Sequence, residues 1–325
     1  MTKNVPAVTQ HEFDGLPAWK LTSPTGAEAL VAERGATLIS WRPRPEAEVI
    51  DGYKSAKELE AQAGDRSLVM LPWCGRVAEG AYSFDGTRYR LAERAESAGL
   101  GGRAGGIDFG RVGRGSALVL RGRMPGDFGY PWDIDVTVVF ALDAGIDGEE
   151  HLSVSISAEN ASDSAAPLSM GWHPYIKMPG VRGISNLSLT VPARTKVLTD
   201  ARIIPLPGDS AFAGVAAPVR FDYLGTTKID QSYTNLVPDA DGVVCTELKD
   251  PVRSTRVRLT QEPSEAPVAH VFTGDGLPRD ERQSIALEPC SALSDAFRRA
   301  DSSVRLPLGP GETRTITATL TYIGG

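Results

Sequence analysis

Cysteine is scarce and scattered: the three thiols, Cys74, Cys245 and Cys290, lie far apart in a chain of 325 residues. An odd, dispersed set argues against a disulfide framework and against structural zinc, which needs close Cys/His pairs. Long apolar runs are missing as well. The longest, Leu68 to Cys74, is seven residues and contains Pro72, whereas a membrane helix needs about 20. Met1 to Gly15 carries Lys3, Glu12 and Asp14 and no apolar stretch, so no secretory signal is legible. The expected compartment is a reducing cytoplasm, with the sequons at Asn160 and Asn186 read as chance. Basic side chains number 34 against 41 acidic ones, a formal net charge of −7, and form no block. Nothing therefore offers a nucleic-acid duplex the cationic stripe its phosphates require, and no membrane partner is expected either.

Helical patterning is also sparse. Ser55 to Ala63 reads as one short helix, with Ser55 and Glu58 in a capping-box arrangement and Gly64 as a stop. A turn or two is expected at Ser294 to Ala300. What is abundant is strand patterning punctuated by 34 glycines and 23 prolines. Ala81 to Leu91 places alternating large residues around Asp85-Gly86, a strong hairpin signal. Ser116–Arg123, Asp133–Leu142, Leu152–Ala158, Asn186–Val191, Arg256–Thr260, His270–Thr273 and Arg314–Ile323 read as strands from their period of two or their β-branched content. The stretch from Ala201 to Arg220 reads as a loop excursion. With no linker, repeat or charge block, residues 1–325 are expected to form a single large all-β domain with few short helices.

Several catalytic signatures are absent: no GxxxxGK[ST], no GxSxG and no HExxH occurs. Gly99 to Ala104 fits a GxGxxA pattern but has no strand before it and no helix after it, so it reads as a surface loop. Four other segments embed ionisable residues in apolar, turn-bounded contexts. They are Leu71-Pro-Trp-Cys-Gly-Arg76-Val77, Met170-Gly-Trp-His173-Pro-Tyr175, Lys228-Ile-Asp230-Gln-Ser-Tyr233 and Ile285-Ala-Leu-Glu288-Pro-Cys290. Taken singly, each has an ordinary structural explanation. Arg76 fits a surface cation, His173 a satisfied turn histidine, Asp230 a turn cap and Glu288 a strand end.

In this order and with these neighbours, the segments resemble the aldose 1-epimerase (galactose mutarotase) family. The likeness runs from the PWxxRV segment into the Tyr82–Leu91 hairpin, through Trp172-His173-Pro174-Tyr175 and Ile229–Leu236, to Glu288-Pro289-Cys290 and Asp295-Ala296-Phe297. It implies a β-supersandwich with an open sugar-binding cleft. It also implies an isomerase that interconverts the α and β anomers of a hexose by acid/base ring opening, without metal or cofactor. By this resemblance Glu288 is the base and His173 the acid, while Arg76 and Asp230 hold sugar oxygens through charge-assisted hydrogen bonds. Trp172, Tyr175 and Trp73 are candidates for an apolar platform under the sugar or for core packing.

The chain departs from the family pattern at one place. Where relatives carry a second histidine in an LHG-like segment, Gly99-Leu100-Gly101-Gly102-Arg103 puts Gly101. His11, His151 and His270 lie elsewhere in the sequence, and only folding can bring one near. Two alternatives stay open at this stage: a sugar-binding relative with impaired catalysis, and a hexose-6-phosphate 1-epimerase-like enzyme. Arg103 is a candidate for an acidic or phosphorylated substituent or for a solvated loop arginine.

Overall fold

The structure, a computed structural model, describes residues 5–91, 102, 104–302 and 305–324. Gly99, Leu100, Gly101 and Arg103 of the glycine-rich segment lie outside the described residues.

Two large sheets face each other. The nine-stranded sheet runs, in spatial order, through Val219–Phe221, Ser188–Val191, Val244–Lys249, Arg256–Gln261, Thr313–Ile323, Glu150–Asn160, Ile134–Ala144, Leu118–Met124 and Gly110–Val112. The second sheet runs through Phe212–Gly214, Ala193–Val197, Asp230–Leu236, Val268–Phe272, Ile285–Cys290, Gly171–His173 and Leu68–Met70, with Tyr175–Ile176 pairing off the path to Ile285–Cys290. Ala7–Phe13, Leu16–Thr22, Glu28–Ala32 and Thr37–Arg42 form a separate four-stranded meander.

Strict alternation explains why the sheets pack. In Glu150–Asn160 the side chains of Leu152, Val154, Ile156 and Ala158 are buried, whereas Ser153, Ser155 and Ser157 turn to the other face. There Ser153 and Ser157 hydrogen-bond Thr319 and Thr315 across the strand pair at 3.0 and 2.8 Å. The inward residues join Phe140, Leu259 and Leu320 in one apolar cluster with Trp172, Val271, Ile285 and Leu287 of the second sheet. Each such large side chain contributes roughly 1.5–3 kcal/mol by burial.

The strands read from the sequence are present, with ends shifted by no more than two residues. The hairpin pairs Ala81–Phe84 with Thr87–Arg90, and its Asp85 and Gly86 have φ of 47° and 75°, the doubly left-handed turn that Asp-Gly favours. The helix is shorter than its sequence pattern, Ala56–Glu60, and Ser55 caps it by accepting a hydrogen bond from the Glu58 N–H. The expected turns after Ser294 are two short 3-10 segments, Ala296–Arg298 and Ala300–Ser302.

The 201–220 stretch differs from its reading as a loop. It carries Phe212–Gly214 at an edge of one large sheet and Val219–Phe221 at an edge of the other. Three-residue edge strands are too short to show a period. Among the described residues no helix is long and apolar enough to cross a membrane.

Candidate active site

The second sheet has one face on the core and one on a cleft. The period of two decides which residue goes where. In Val268–Phe272, Ala269 and Val271 join the core cluster, while Val268, His270 and Phe272 line the cleft. In Ile285–Cys290, Ile285 and Leu287 face the core, whereas Glu288 and Cys290 face the cleft. Asp230 and Ser232 face it from the next strand but one, and His173 from the far side of Glu288.

Register completes the arrangement. Ser232 lies opposite His270, and His270 opposite Glu288, so a polar row crosses three strands. His173 Nε2 approaches Glu288 Oε1 to 3.2 Å, with both side chains buried. His270 Nε2 is 3.1 Å from Asp230 Oδ1 and 3.9 Å from Glu288 Oε1. Its Nδ1 is 2.8 Å from Ser232 Oγ.

The charges respond to one another. Burial pushes the Asp230 carboxyl up, but the hydrogen bond from His270 and the positive charges of His270, Arg76 and His173 hold it below its ordinary value. Burial disfavours a charged His270. The Glu288 charge and the bonded Asp230 carboxylate outweigh both that and Arg76, and they raise the imidazole above its ordinary value.

Arg76 reaches the cleft from the loop that follows Leu68–Met70, and its guanidinium makes no ion pair among the described residues. The loop is clipped to the segment after Glu288. Arg76 N–H donates to Ser294 Oγ at 2.7 Å, Asp295 N–H donates to Arg76 O at 2.6 Å, and Ala78 N–H donates to Asp295 Oδ1 at 2.8 Å. This gives the Asp-Ala-Phe segment a physical task, because Asp295 fixes the backbone that carries Arg76. Asp295→Ala strands the buried Ala78 N–H and should lower the unfolding free energy by about 1–3 kcal/mol, read from the denaturant midpoint.

Close packing also supports the His173–Glu288 pair. Gly171 lies opposite both Met70 and Cys290. A methyl group there would stand 2.7 Å from Met70 Cε, 3.0 Å from Cys290 Sγ and 3.0 Å from Pro289 O. Gly171→Ala should therefore destabilise the fold by about 1–3 kcal/mol, the usual range for overpacking, and thermal unfolding would register it.

Of the residues expected from the sequence, Arg76, His173, Asp230 and Glu288 meet in the cleft. Trp172 and Tyr175 do not line it. Trp172 is 1% exposed and sits in the inter-sheet core, since its neighbour His173 takes the opposite face of the strand. Tyr175 is buried too and packs its ring 5.0 Å from that of His173; burial and the Glu288 charge push its phenol far above its ordinary value. Trp73 packs edge-on against Phe297.

His270 is the main residue that sequence reasoning left outside the site. Its strand was legible, but its register with Glu288 was not. Cys74 and Cys290 also reach the cleft as free thiols. Cys74 Sγ donates to Ala292 O at 3.1 Å. Among the described residues no group of three or more His, Cys, Asp or Glu side chains is arranged to hold a metal ion.

Comparison with known proteins agrees with this architecture. The uncharacterized protein YihR of Escherichia coli K12 is 25% identical over 233 residues, 70% of each chain. Galactose mutarotase of Homo sapiens is 28% identical over 151 residues, which cover 45% of this chain and 42% of that protein. Among solved structures, the GalM/aldose epimerase homologue from C. elegans superposes with a TM-score of 0.77 at 17% identity, over 93% of this chain and 97% of that one. Galactose 1-epimerase from Lactobacillus acidophilus NCFM gives 0.75 at 16%, over 98% and 99%. The fold is thus that of the galactose mutarotases. The aldose 1-epimerase family profile itself matches residues 17–321, and the chain belongs to that family.

Proposed function

We propose that the protein is an aldose 1-epimerase that interconverts the α and β anomers of a hexose by acid/base ring opening. The observation that carries this reading is the 3.2 Å pairing of His173 Nε2 with Glu288 Oε1 on the cleft face. Opening a hemiacetal requires a base for the C1 hydroxyl proton and an acid for the ring oxygen. Those two oxygens are bonded to one carbon, so the two groups that serve them must be neighbours. A carboxylate and an imidazole side by side meet that demand, and each stabilises the other's charge.

Glu288 takes the proton from the C1 hydroxyl and the C1–O bond to the ring oxygen breaks as a carbonyl forms at C1. His173 delivers a proton to the departing ring oxygen. Rotation about C1–C2 presents the other carbonyl face, and the same groups exchange roles as the ring closes. Arg76 and Asp230 supply a donor and an acceptor for sugar oxygens through charge-assisted hydrogen bonds, which fix the sugar over the pair.

The test follows freshly dissolved α anomers of neutral and phosphorylated hexoses by polarimetry or NMR. The expected result is exchange well above the spontaneous rate for at least one neutral hexose. Tight binding by calorimetry with no acceleration would overturn the reading and make the protein a sugar-binding relative. Acceleration confined to phosphorylated hexoses would shift the substrate class.

A further inference from the structure

We propose that His270 is a positioning residue for this exchange: its imidazole bridges Asp230 and Glu288 across three neighbouring strands and aims both carboxylates at one sugar. The inference rests on the epimerase reading and adds to it a residue that the expected set of Glu288, His173, Arg76 and Asp230 does not contain.

Strand order makes the bridge necessary. Asp230 and Glu288 stand on the two strands that flank Val268–Phe272, and both face the cleft. Two carboxylates converging on one cavity repel, and one of them tends to take up a proton. A protonated Glu288 cannot act as base, and a protonated Asp230 is a weaker acceptor. The middle strand puts a group between them, and its cleft-facing residues are Val268, His270 and Phe272.

The ring is held in place from both sides. Ser232 Oγ lies 2.8 Å from Nδ1, and Asp230 Oδ1 lies 3.1 Å from Nε2. A doubly protonated ring satisfies both contacts as a donor, with Glu288 Oε1 at 3.9 Å on the same edge. His173 reaches Glu288 Oε1 from the other side, so the carboxylate is steadied by two imidazoles and only one of them touches Asp230. With its side chain 19% exposed, His270 is not an ordinary core histidine: every polar partner it has belongs to the cleft.

A pH dependence follows. The groups that face His270 are Asp230 and Ser232 from one strand, Glu288 from the other and Arg76 from the loop. The two carboxylates favour its charge and Arg76 opposes it, with the net effect upward. The bridge is therefore charged below that raised pKa and loses its charge as pH rises through it. Turnover should fall on the alkaline side for this reason.

The experiment has two arms. An NMR pH titration of the His270 ring in the wild-type protein without sugar should place its pKa above the free-histidine value of about 6.5, and Asp230→Asn should lower it. The pH–rate profile of His270→Gln, folded by circular dichroism, should show the alkaline limb of kcat/KM displaced, since the proton His173 delivers keeps a limb of its own. The rate should fall roughly tenfold at pH 7, as the loss of one polar contact of about 1.4 kcal/mol gives. A ring that titrates at or below the free value overturns the bridge, even where the variant fails to fold. Exchange with an unchanged alkaline limb in His270→Gln overturns the role alone. Absence of exchange in the wild type overturns the epimerase reading and this role with it.

Discussion

Glu288→Gln should lower kcat for anomer exchange by roughly a thousandfold, the middle of the range of about 10²–10⁴ for a positioned general base. The change is isosteric, and the new amide oxygen can still accept from His173 Nε2 at the place where Glu288 Oε1 lies 3.2 Å away. Sugar contacts from Arg76 and Asp230 are untouched, so KM should move only a few-fold. That separation distinguishes loss of a base from loss of a binding site. A second consequence concerns His270. The Glu288 charge is the largest of the influences that raise its imidazole, so the ring in the variant should titrate at lower pH than in the wild type. Single-turnover NMR exchange, with sugar affinity measured separately, decides the matter. A variant whose kcat stays within threefold of the wild type would mean that another group removes the proton.

The contrast between Glu288 and His270 shows what a sequence can disclose. Glu288 is a carboxylate inside a strand that is buried along its whole length, and an ionisable residue in an apolar run announces itself. His270 sits in Val-Ala-His-Val-Phe, whose alternation reveals a strand and nothing about its neighbours. Its partners, Ser232 and Glu288, come from strands on either side of it, and Ser232 is 38 residues away. Pairing at that separation is settled by topology, which local patterning does not encode. The long central strands were legible because eleven residues of period two, as in Ile134–Ala144, leave no alternative. Ala7–Phe13 and the edge strands near Phe212 were not, since the first is largely exposed and the others span three residues. For Trp172 the sequence leaves a sugar platform and core packing open, and strand geometry chooses between them. Adjacent residues of a strand point to opposite faces, so with His173 on the cleft Trp172 goes to the core.

Beneath the site, Asp51→Ala should destabilise the protein by about 3–5 kcal/mol, the cost of leaving a buried charge without its partner. The side chains of Arg66 and Asp51 are 2% and 4% exposed, and Arg66 Nη1 is 2.5 Å from Asp51 Oδ2. Ser284 Oγ donates to the same oxygen at 2.7 Å, and Arg279 approaches the other at 3.5 Å. Burial pushes the Asp51 carboxyl up, but Arg66, Ser284 and Arg279 together hold it below its ordinary value. A depressed carboxylate contributes stability that is present above the unfolded value of about 3.9 and is lost as pH falls through the folded one. The gap in unfolding free energy between wild type and Asp51→Ala should therefore be full at pH 7 and shrink below about pH 4, as denaturant midpoints across that range would show. An equal gap at pH 7 and pH 2 would assign the loss to packing rather than charge. The site should feel the change indirectly, because the Arg66 guanidinium lies 5.1 Å from the centroid of the Tyr175 ring, which in turn packs 5.0 Å from His173. Replacing both partners, Asp51→Leu with Arg66→Met, should recover most of the stability, since an apolar pair of similar volume leaves no charge stranded. Kinetics of that double variant then separate two tasks of the pair. Recovered stability with kcat still depressed would show that Arg66 props His173 through Tyr175, and recovery of both would show that the pair serves the fold alone.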